Sequence, residues 1–294
     1  NQTSIRLAID AGLLAGAGTL VWQAGNVLQV NTLGNRDVDT GLPMQRDTIF
    51  RIASMTKPVT VAAAMTLVDE GRLALTDPVT KWLPELSDMR VLREPRGPLE
   101  ATEAARRPIT VDDLMTHRSG LAYAFSVLGP LGAAYGTLPL RQDQDRWLAE
   151  LAKLPLAHQP GDRLTYSHST DMLGIALSRI EGKPLAQVLQ ERIFGPLGMT
   201  DTGFSVNAAG RRRTATMYKL TADSTLTHDV MGPPPIADPP FCTGGAGLFS
   251  TVDDYLKFAR MLLGGGTVDG VRVLSEESAR VMHTDRLTTE QKQY

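Results

Sequence analysis

The 294-residue sequence contains a single cysteine, Cys242, and only five histidines. One cysteine cannot form an intrachain disulfide, so a scaffold held together by disulfides is excluded. The histidines are scattered along the chain and do not combine with cysteine at the spacing of a zinc site. We therefore expect no structural zinc site.

An excess of charge of one sign is also lacking. Thirty Lys and Arg residues face 32 Asp and Glu residues, which gives a formal net charge of -2. A polyanion such as a nucleic acid or an anionic membrane surface attracts a basic protein over long distances, and this chain offers no such field. We therefore expect no nucleic-acid partner, and the oligomeric state stays open.

Long apolar runs are missing as well. The apolar stretch at residues 11–22 has 12 residues without a charged or amide side chain, whereas a membrane-spanning helix needs about 20. Residues 1–7 show no basic segment followed by an apolar one, so no secretory signal is visible. We expect a cytoplasmic protein, or a periplasmic or secreted one if a signal peptide has been removed.

What the sequence does contain is enough apolar material for a core, at 42% hydrophobic residues. Two β-rich runs, residues 19–22 and 27–32, flank a Gly-Asn turn and predict a hairpin. Residues 54–70 are apolar on nearly every face and are followed by Gly71, which predicts a buried helix. We expect a sheet domain of residues 1–76 and 201–294 and a mainly helical domain of residues 77–200.

The strongest chemical signal is Ser54 followed by Lys57 at the start of the buried helix. Three residues along a helix bring two side chains to one face, so the ammonium can meet the hydroxyl. A neighbouring base turns a serine into a nucleophile. A helix-capping serine beside a surface lysine is the alternative. The absence of charge from Pro58 to Val68 argues against it, because a lysine on so apolar a helix needs a partner.

Tyr166, which precedes Ser167 and His168, is a second candidate. A tyrosine beside a lysine ammonium can act as a general base and then as a general acid. A half-buried tyrosine followed by a capping serine is the structural alternative.

Five segments then appear in an order that resembles the serine β-lactamase-related hydrolases, in particular family VIII carboxylesterases and class C β-lactamases. They are F-R-I-A-S-M-T-K-P at 50–58, L-M-T-H-R-S-G-L at 114–121, Y-S-H-S-T-D at 166–171, P-L-G-M-T-D-T at 196–202 and G-G-A-G-L at 244–248. The resemblance implies the α/β (α+β) fold of serine β-lactamases and DD-peptidases, an antiparallel sheet flanked by helices plus a helical domain.

The resemblance also implies roles for three catalytic residues. Ser54 would attack the carbonyl, Lys57 would hold or accept its proton, and Tyr166 would act with Lys57 and protonate the leaving group. The backbone N–H of Ser54 would be one oxyanion donor. The family places the second donor beside a K-T-G, H-x-G or W-x-G motif on a C-terminal strand, and we find no such motif. We therefore expect the C-terminal strands to be missing, so that the chain is a fragment, a processed chain or a fold completed by a segment of a second chain.

Four further residues are candidates for substrate binding: His168, Tyr123, Phe125 and Gly245. His168 stands where class C β-lactamases have Asn, which places β-lactam hydrolysis in more doubt than ester hydrolysis; a ring held by backbone groups is the alternative. Tyr123 and Phe125 either line the cleft or pack in the core. Gly245 belongs to a glycine run that lets the backbone pass close to the site. A triad of His117 with Asp112 or Asp113 is disfavoured, because no G-x-S-x-G elbow is present.

The sequence thus predicts a serine hydrolase that forms an acyl-enzyme on Ser54 and whose partner is a small-molecule ester or amide substrate. We expect a carboxylesterase on short-acyl esters, with weak β-lactam hydrolysis or acyl transfer as added activities. A β-lactamase or D-amino-acid peptidase is one alternative, and a catalytically inactive penicillin-binding or sensing module is another. No metal or organic cofactor is needed for this chemistry.

Overall fold

The computed structural model describes residues 2–139, 143–229 and 239–292. Its α-helices are α1 (Gln2–Asp10), α2 (Thr56–Asp69), α3 (Val111–Met115), α4 (Pro130–Gly136), α5 (Gln144–Leu151), α6 (Ser169–Glu181), α7 (Leu185–Leu189), α8 (Gly195–Leu197), α9 (Ala208–Arg211), α10 (Val252–Leu263) and α11 (Glu276–Met282). Short 3₁₀ turns span Ala53–Met55, Val79–Lys81, Pro84–Leu86 and Glu290–Lys292, and a π-turn spans Gln190–Phe194.

All the strand pairs that we describe are antiparallel. The strands are β1 (Gly16–Gln23), β2 (Asn26–Asp37), β3 (Leu42–Pro43), β4 (Phe50–Arg51), β5 (Arg90–Leu92), β6 (Thr102–Ala104), β7 (Tyr218–Leu220), β8 (Leu226–His228), β9 (Phe249–Ser250), β10 (Thr267–Val268) and β11 (Val271–Arg272). They form one three-stranded sheet in the order β1-β2-β3 and four two-stranded pairs.

The predicted hairpin is confirmed and is longer than the sequence pattern indicated. Strand β1 pairs with β2 from Gly16 opposite Gly34 to Gln23 opposite Asn26. The two residues of its turn, Ala24 and Gly25, both have positive φ, at 49° and 89°. Two such residues match the right-handed twist of the strands, which is why this short loop closes the hairpin.

Helix α2 lies at the centre of the core. Val59, Ala62, Ala63, Ala64 and Leu67 have no exposed surface, and the helix packs against α6, α7 and α11. Gly71 follows its end with a φ of 68°, as the sequence predicts. Burial on every side explains why the helix carries no polar stripe.

The α-helix begins two residues later than predicted. Residues 53–55 form a 3₁₀ turn, and the α-helix begins at Thr56, whose N–H donates to the Ala53 carbonyl. Pro58 has no N–H to give to the Ser54 carbonyl in an α-helical bond, so a tighter turn precedes the helix.

The middle of the chain is mainly helical but not wholly so. Thr110 and Asp113 form a capping box that starts α3, and Gly182 ends α6 in a left-handed conformation. Strands β5 and β6 pair within the region predicted as helical. The division at residues 76 and 200 stays a prediction. Within the described ranges, no helix combines the length and apolar character required to cross a bilayer.

Candidate active site

Ser54 lies in a sharp turn between a strand and the central helix. Strand β4 pairs with β9, and the Ile52 N–H donates to the Leu248 carbonyl at 3.0 Å. Ala53 then adopts a φ of 43°, a left-handed conformation that strains a residue with a Cβ. The turn leaves Ser54 exposed, while Thr56 behind it is fully buried. Its hydroxyl is therefore accessible to a substrate.

A tyrosine of α10 supports this turn from outside. The Tyr255 hydroxyl donates to the carbonyl of Met55 at 3.0 Å, and burial raises the pKa of Tyr255 to about 12. Its proton is thus retained for this hydrogen bond at neutral pH. No local sequence pattern indicates this contact, because the two residues are 200 positions apart.

Lys57 brings its ammonium to Ser54, as the three-residue spacing predicts. Its Nζ is 3.3 Å from Ser54 Oγ and donates to the Gly245 carbonyl at 2.8 Å. Only 8% of Lys57 is exposed. A lysine this deeply buried is not the surface charge of the alternative interpretation, since its burial is compensated by specific acceptors.

Tyr166 completes the group around the serine. Its hydroxyl donates to Ser54 Oγ at 2.5 Å, and Lys57 Nζ lies 4.5 Å from the centre of its ring. The three predicted catalytic side chains are therefore mutually in contact. The arrangement joins a nucleophile to two groups that can exchange its proton.

Buried hydroxyl groups anchor the segment that carries Tyr166. Ser169 Oγ lies 2.7 Å from both Ser167 Oγ and Ser119 Oγ, and the Ser167 N–H donates to His117 Nδ1 at 3.2 Å. Ser119 belongs to the segment at 114–121, so this motif holds the segment of Tyr166 through hydrogen bonds between buried serine hydroxyls. Satisfied buried networks of this kind fix side-chain geometry.

His117 takes no part in a Ser-His-Asp arrangement. Asp113 caps α3 and pairs with Arg107, and Asp112 pairs with Arg118 and Arg286. Burial, together with the Lys57 ammonium, lowers the pKa of His117 to about 4. The ring is therefore neutral at pH 7, which is the form in which Nδ1 accepts the Ser167 N–H.

The glycine run at 244–247 passes close to α2 and α6. A Cβ on Gly244 would lie 2.5 Å from the Thr170 carbonyl oxygen, and one on Gly245 would lie 2.8 Å from Asp171 Oδ1. Thr60 Oγ1 donates to the Gly244 carbonyl at 2.8 Å. Absence of side chains thus lets backbone carbonyls reach Thr60 and Lys57, in the way the sequence predicts.

His168 is held by a carboxylate rather than by the backbone. Its Nδ1 lies 2.8 Å from Asp171 Oδ2, and 13% of its side chain is exposed. The alternative of a ring satisfied by backbone groups is therefore wrong, because an acidic partner lies one helical turn away. That His168 binds substrate directly stays a prediction. Asp171, quoted in the sequence motif without a role, is the partner that sequence reasoning missed.

Two aromatic rings stand beside the catalytic group. Tyr123 and Phe125 are stacked with their centroids 5.2 Å apart, and Phe125 lies 6.3 Å from the Tyr166 ring. Phe125 is 76% exposed, so it is not a core residue. Tyr123 is largely buried and its pKa is raised by burial. Both rings lie beside Tyr166, and their role in lining a substrate cleft stays a prediction.

A cavity of about 430 Å³ borders Lys57 and His117 on the side of α11. Neither Ser54 nor Tyr166 lines it, so the hydrogen bonds around Ser54, rather than this cavity, mark the candidate reacting centre. Within the described part of the chain, no three His, Cys, Asp or Glu side chains converge to hold a metal ion.

An accessible serine with lysine and tyrosine partners on a mixed helix-and-sheet fold defines the class of serine hydrolases related to β-lactamases. The sequence matches the Beta-lactamase family over residues 5–293, and the chain belongs to that family. The resemblance and the fold inferred from the motifs are thereby confirmed.

Individual relatives agree with this assignment. An uncharacterized protein of Mycobacterium tuberculosis is 64% identical over 294 residues, which are 100% of this chain and 73% of that protein. Esterase EstB of Burkholderia gladioli is 34% identical over 265 residues, 83% of this chain and 64% of that protein. The solved structure of EstCE1, a hydrolase with promiscuous acyltransferase activity, has a TM-score of 0.80 at 28% identity and covers 95% of this chain and 74% of that one. The chain thus spans 64–74% of the length of these proteins.

Proposed function

We propose that this protein is a carboxylesterase that cleaves short-acyl esters through an acyl-enzyme on Ser54. The observation that carries the proposal is the hydrogen bond of 2.5 Å from Tyr166 to Ser54 Oγ, with Lys57 Nζ 3.3 Å from the same oxygen. An exposed serine needs such neighbours only if its proton is to be moved. Membership of the family supports a serine hydrolase.

In the first half of the reaction, Ser54 Oγ bonds to the ester carbonyl carbon. Tyr166 reacts as the phenolate beside the Lys57 ammonium: it takes the serine proton and gives it to the departing alkoxide, so that an alcohol leaves and the acyl group stays on Ser54. The Lys57 ammonium, 4.5 Å from the centre of the Tyr166 ring, stabilises the negative charge on the phenolic oxygen. The backbone N–H of Ser54 serves as one donor to the oxyanion.

In the second half, water attacks the acyl carbon. The Tyr166–Lys57 pair takes a proton from that water and gives one back to Ser54 Oγ, which releases the acid and restores the enzyme. If another alcohol takes the place of the water, the product is a new ester. Acyl transfer is therefore a second candidate activity, favoured by the description of EstCE1 as a hydrolase with promiscuous acyltransferase activity.

Two observations support an ester over a β-lactam as substrate. His168 occupies the position of the β-lactamase Asn, and its Nδ1 is engaged by Asp171, so it does not offer the donor and acceptor fork of an amide. The exposed Phe125 ring adds an apolar surface beside Tyr166, which suits an acyl chain. The relative named esterase EstB is consistent with this choice.

Parallel turnover of p-nitrophenyl butyrate and a chromogenic cephalosporin tests the proposal. We expect rapid release of p-nitrophenol, lost in Ser54→Ala, with little or no opening of the cephalosporin. Fast cephalosporin turnover without ester cleavage would instead assign a β-lactamase. If a labelled penicillin modifies Ser54 stably and neither substrate is turned over, the protein would be assigned as a penicillin-binding or sensing module.

A further inference from the structure

The carboxylate of Asp171 is divided between two parts of the candidate site. Oδ1 accepts the Gly245 N–H at 2.8 Å, and Oδ2 lies 2.8 Å from His168 Nδ1. The Tyr123 hydroxyl donates to Oδ2 at 3.5 Å. Asp171 is 3% exposed. A buried carboxylate requires such partners, and its position in the first turn of α6 also places it at the positive end of the helix.

Both backbone polar groups of Gly245, its N–H and its carbonyl, are therefore hydrogen-bonded to buried side chains. Asp171 binds its N–H, and Lys57 binds its carbonyl at 2.8 Å. The position of that carbonyl fixes where the ammonium of Lys57 points, since a lysine side chain has four rotatable bonds and otherwise moves freely. A shift of the Gly245 carbonyl therefore moves the Lys57 ammonium, which contacts Ser54 Oγ.

The geometry points to a role for Asp171 as a positioning residue of the reaction, and this inference rests on the proposed function. Through Gly245, Asp171 sets the acceptor of Lys57, and through α6 it ties that acceptor to the segment that carries Tyr166. Asp171 thereby keeps Lys57 and Tyr166 in a fixed relative position. Small misplacements of a catalytic group lower rates by about 100-fold.

Asp254 offers a matched control in the same chain. It is likewise the third residue of its helix, α10, and it is 4% exposed. It also binds a backbone N–H of a distant segment, that of Asp201 at 2.7 Å. Its partners Thr202 and Lys257 lie outside the group around Ser54. Loss of Asp254 therefore reproduces the structural damage without moving Gly245.

The test compares steady-state p-nitrophenyl butyrate hydrolysis by the full chain and its variants. We expect Asp171→Ala to lower kcat by about 100-fold, because Gly245 and with it the acceptor of Lys57 lose their fixed position. Asp171→Asn keeps an oxygen for the Gly245 N–H and presents its amide to His168 Nδ1, so it should recover at least about tenfold of the loss. Asp254→Ala should keep kcat within about threefold of the wild-type value, although we expect its thermal unfolding midpoint to fall as far as that of Asp171→Ala.

The proposal is overturned if folded Asp171→Ala keeps at least about a third of the wild-type kcat, if Asp171→Asn recovers nothing, or if Asp254→Ala loses as much kcat as Asp171→Ala. If Asp171→Ala does not fold, Gly245→Ala decides. Its Cβ would lie 2.8 Å from Asp171 Oδ1, so it displaces the same peptide while the carboxylate stays; an unchanged kcat would contradict the proposal.

Failure of the proposed function gives a different pattern. In that case the wild-type protein itself does not hydrolyse the ester, and the rate of Ser54 labelling by a fluorophosphonate becomes the readout. A slower labelling rate in Asp171→Ala than in Asp254→Ala still supports positioning by Asp171, and equal rates overturn it. A wild-type protein that neither hydrolyses nor labels overturns both.

Discussion

The hydroxyl of Tyr166 donates to Ser54 Oγ at 2.5 Å across 112 residues of sequence. Ser54 is exposed at a strand-to-helix turn. Tyr166 precedes α6, next to Ser167, which belongs to a buried network of serine hydroxyls. Two separately supported segments thus meet at one oxygen atom. Such a contact serves no packing purpose at an exposed serine, and it is the basis of the proposed acyl transfer.

Removal of the Tyr166 hydroxyl should therefore impair the reaction and spare the fold. We expect Tyr166→Phe to lower kcat for p-nitrophenyl butyrate by about 10²- to 10⁴-fold, the range for loss of a general acid or base. Tyr218→Phe is the control, because the Tyr218 hydroxyl in strand β7 also makes one hydrogen bond, which it accepts from the Val38 N–H at 2.8 Å. Equal kcat values for the two variants would contradict the role of Tyr166.

Phe125 should affect substrate binding more than chemistry. The ring is 76% exposed, so Phe125→Ala should change the free energy of unfolding by less than about 0.5 kcal/mol. Loss of apolar contact with the acyl chain should raise KM about three- to tenfold with kcat nearly unchanged. Leu263→Ala removes a similarly exposed apolar side chain, 70% exposed in α10, and should leave KM unchanged. A KM of Phe125→Ala equal to that of the wild type would remove Phe125 from the cleft.

Gly244 should tolerate no side chain. Its Cβ would lie 2.5 Å from the Thr170 carbonyl oxygen and 3.3 Å from Gly174 Cα, so backbone would have to move. We expect Gly244→Ala to lower the free energy of unfolding by about 1–3 kcal/mol in denaturant titration. At Gly203 the nearest atom to an added Cβ is 3.7 Å away, so Gly203→Ala should change stability by less than about 1 kcal/mol. Equal effects would show that the glycine run is not tightly packed.

The buried His117 predicts a dependence of stability on pH. Its pKa is lowered to about 4 by burial and by Lys57, from an ordinary value of 6.5. Above pH 6.5 the ring is neutral in both states and contributes nothing. As the pH falls from 6.5 to about 4 the unfolded chain takes up a proton that the folded protein does not, so the folded state loses up to about 3 kcal/mol.

Denaturant titration of the wild type and His117→Asn between pH 7 and pH 4 measures this effect. The variant lacks the titrating ring, so its deficit in the free energy of unfolding should shrink as the pH falls. His158, whose pKa burial also lowers, is present in both proteins and cancels in the difference. A deficit that stays constant over this pH range would contradict a buried neutral His117.

Features with local causes were predictable from the sequence. The spacing of Ser54 and Lys57, the capping box of Thr110 and Asp113, and the left-handed end of α6 at Gly182 depend on residues within one or two turns. Order of motifs along the chain then placed Tyr166 with the serine. Such signals are readable because helix geometry fixes which neighbours meet.

Contacts made between distant segments were not predictable in the same way. The bond of Asp171 to Gly245 spans 74 residues, and that of Tyr255 to Met55 spans 200. Neither leaves a periodic pattern, because both depend on how loops and helix ends are brought together by the fold. The left-handed Ala53 was missed for a related reason: its strained conformation is imposed by the β4–β9 pairing and by α2 rather than by its own preference.

The central claim is that Ser54 is a reactive nucleophile. Intact-mass spectrometry after reaction with a fluorophosphonate tests this claim most directly. The account predicts one phosphonyl adduct per chain, located on the peptide that contains Ser54, absent from Ser54→Ala and formed more slowly in Tyr166→Phe. A folded wild-type protein that gains no adduct, or that carries it on another residue, would contradict the account.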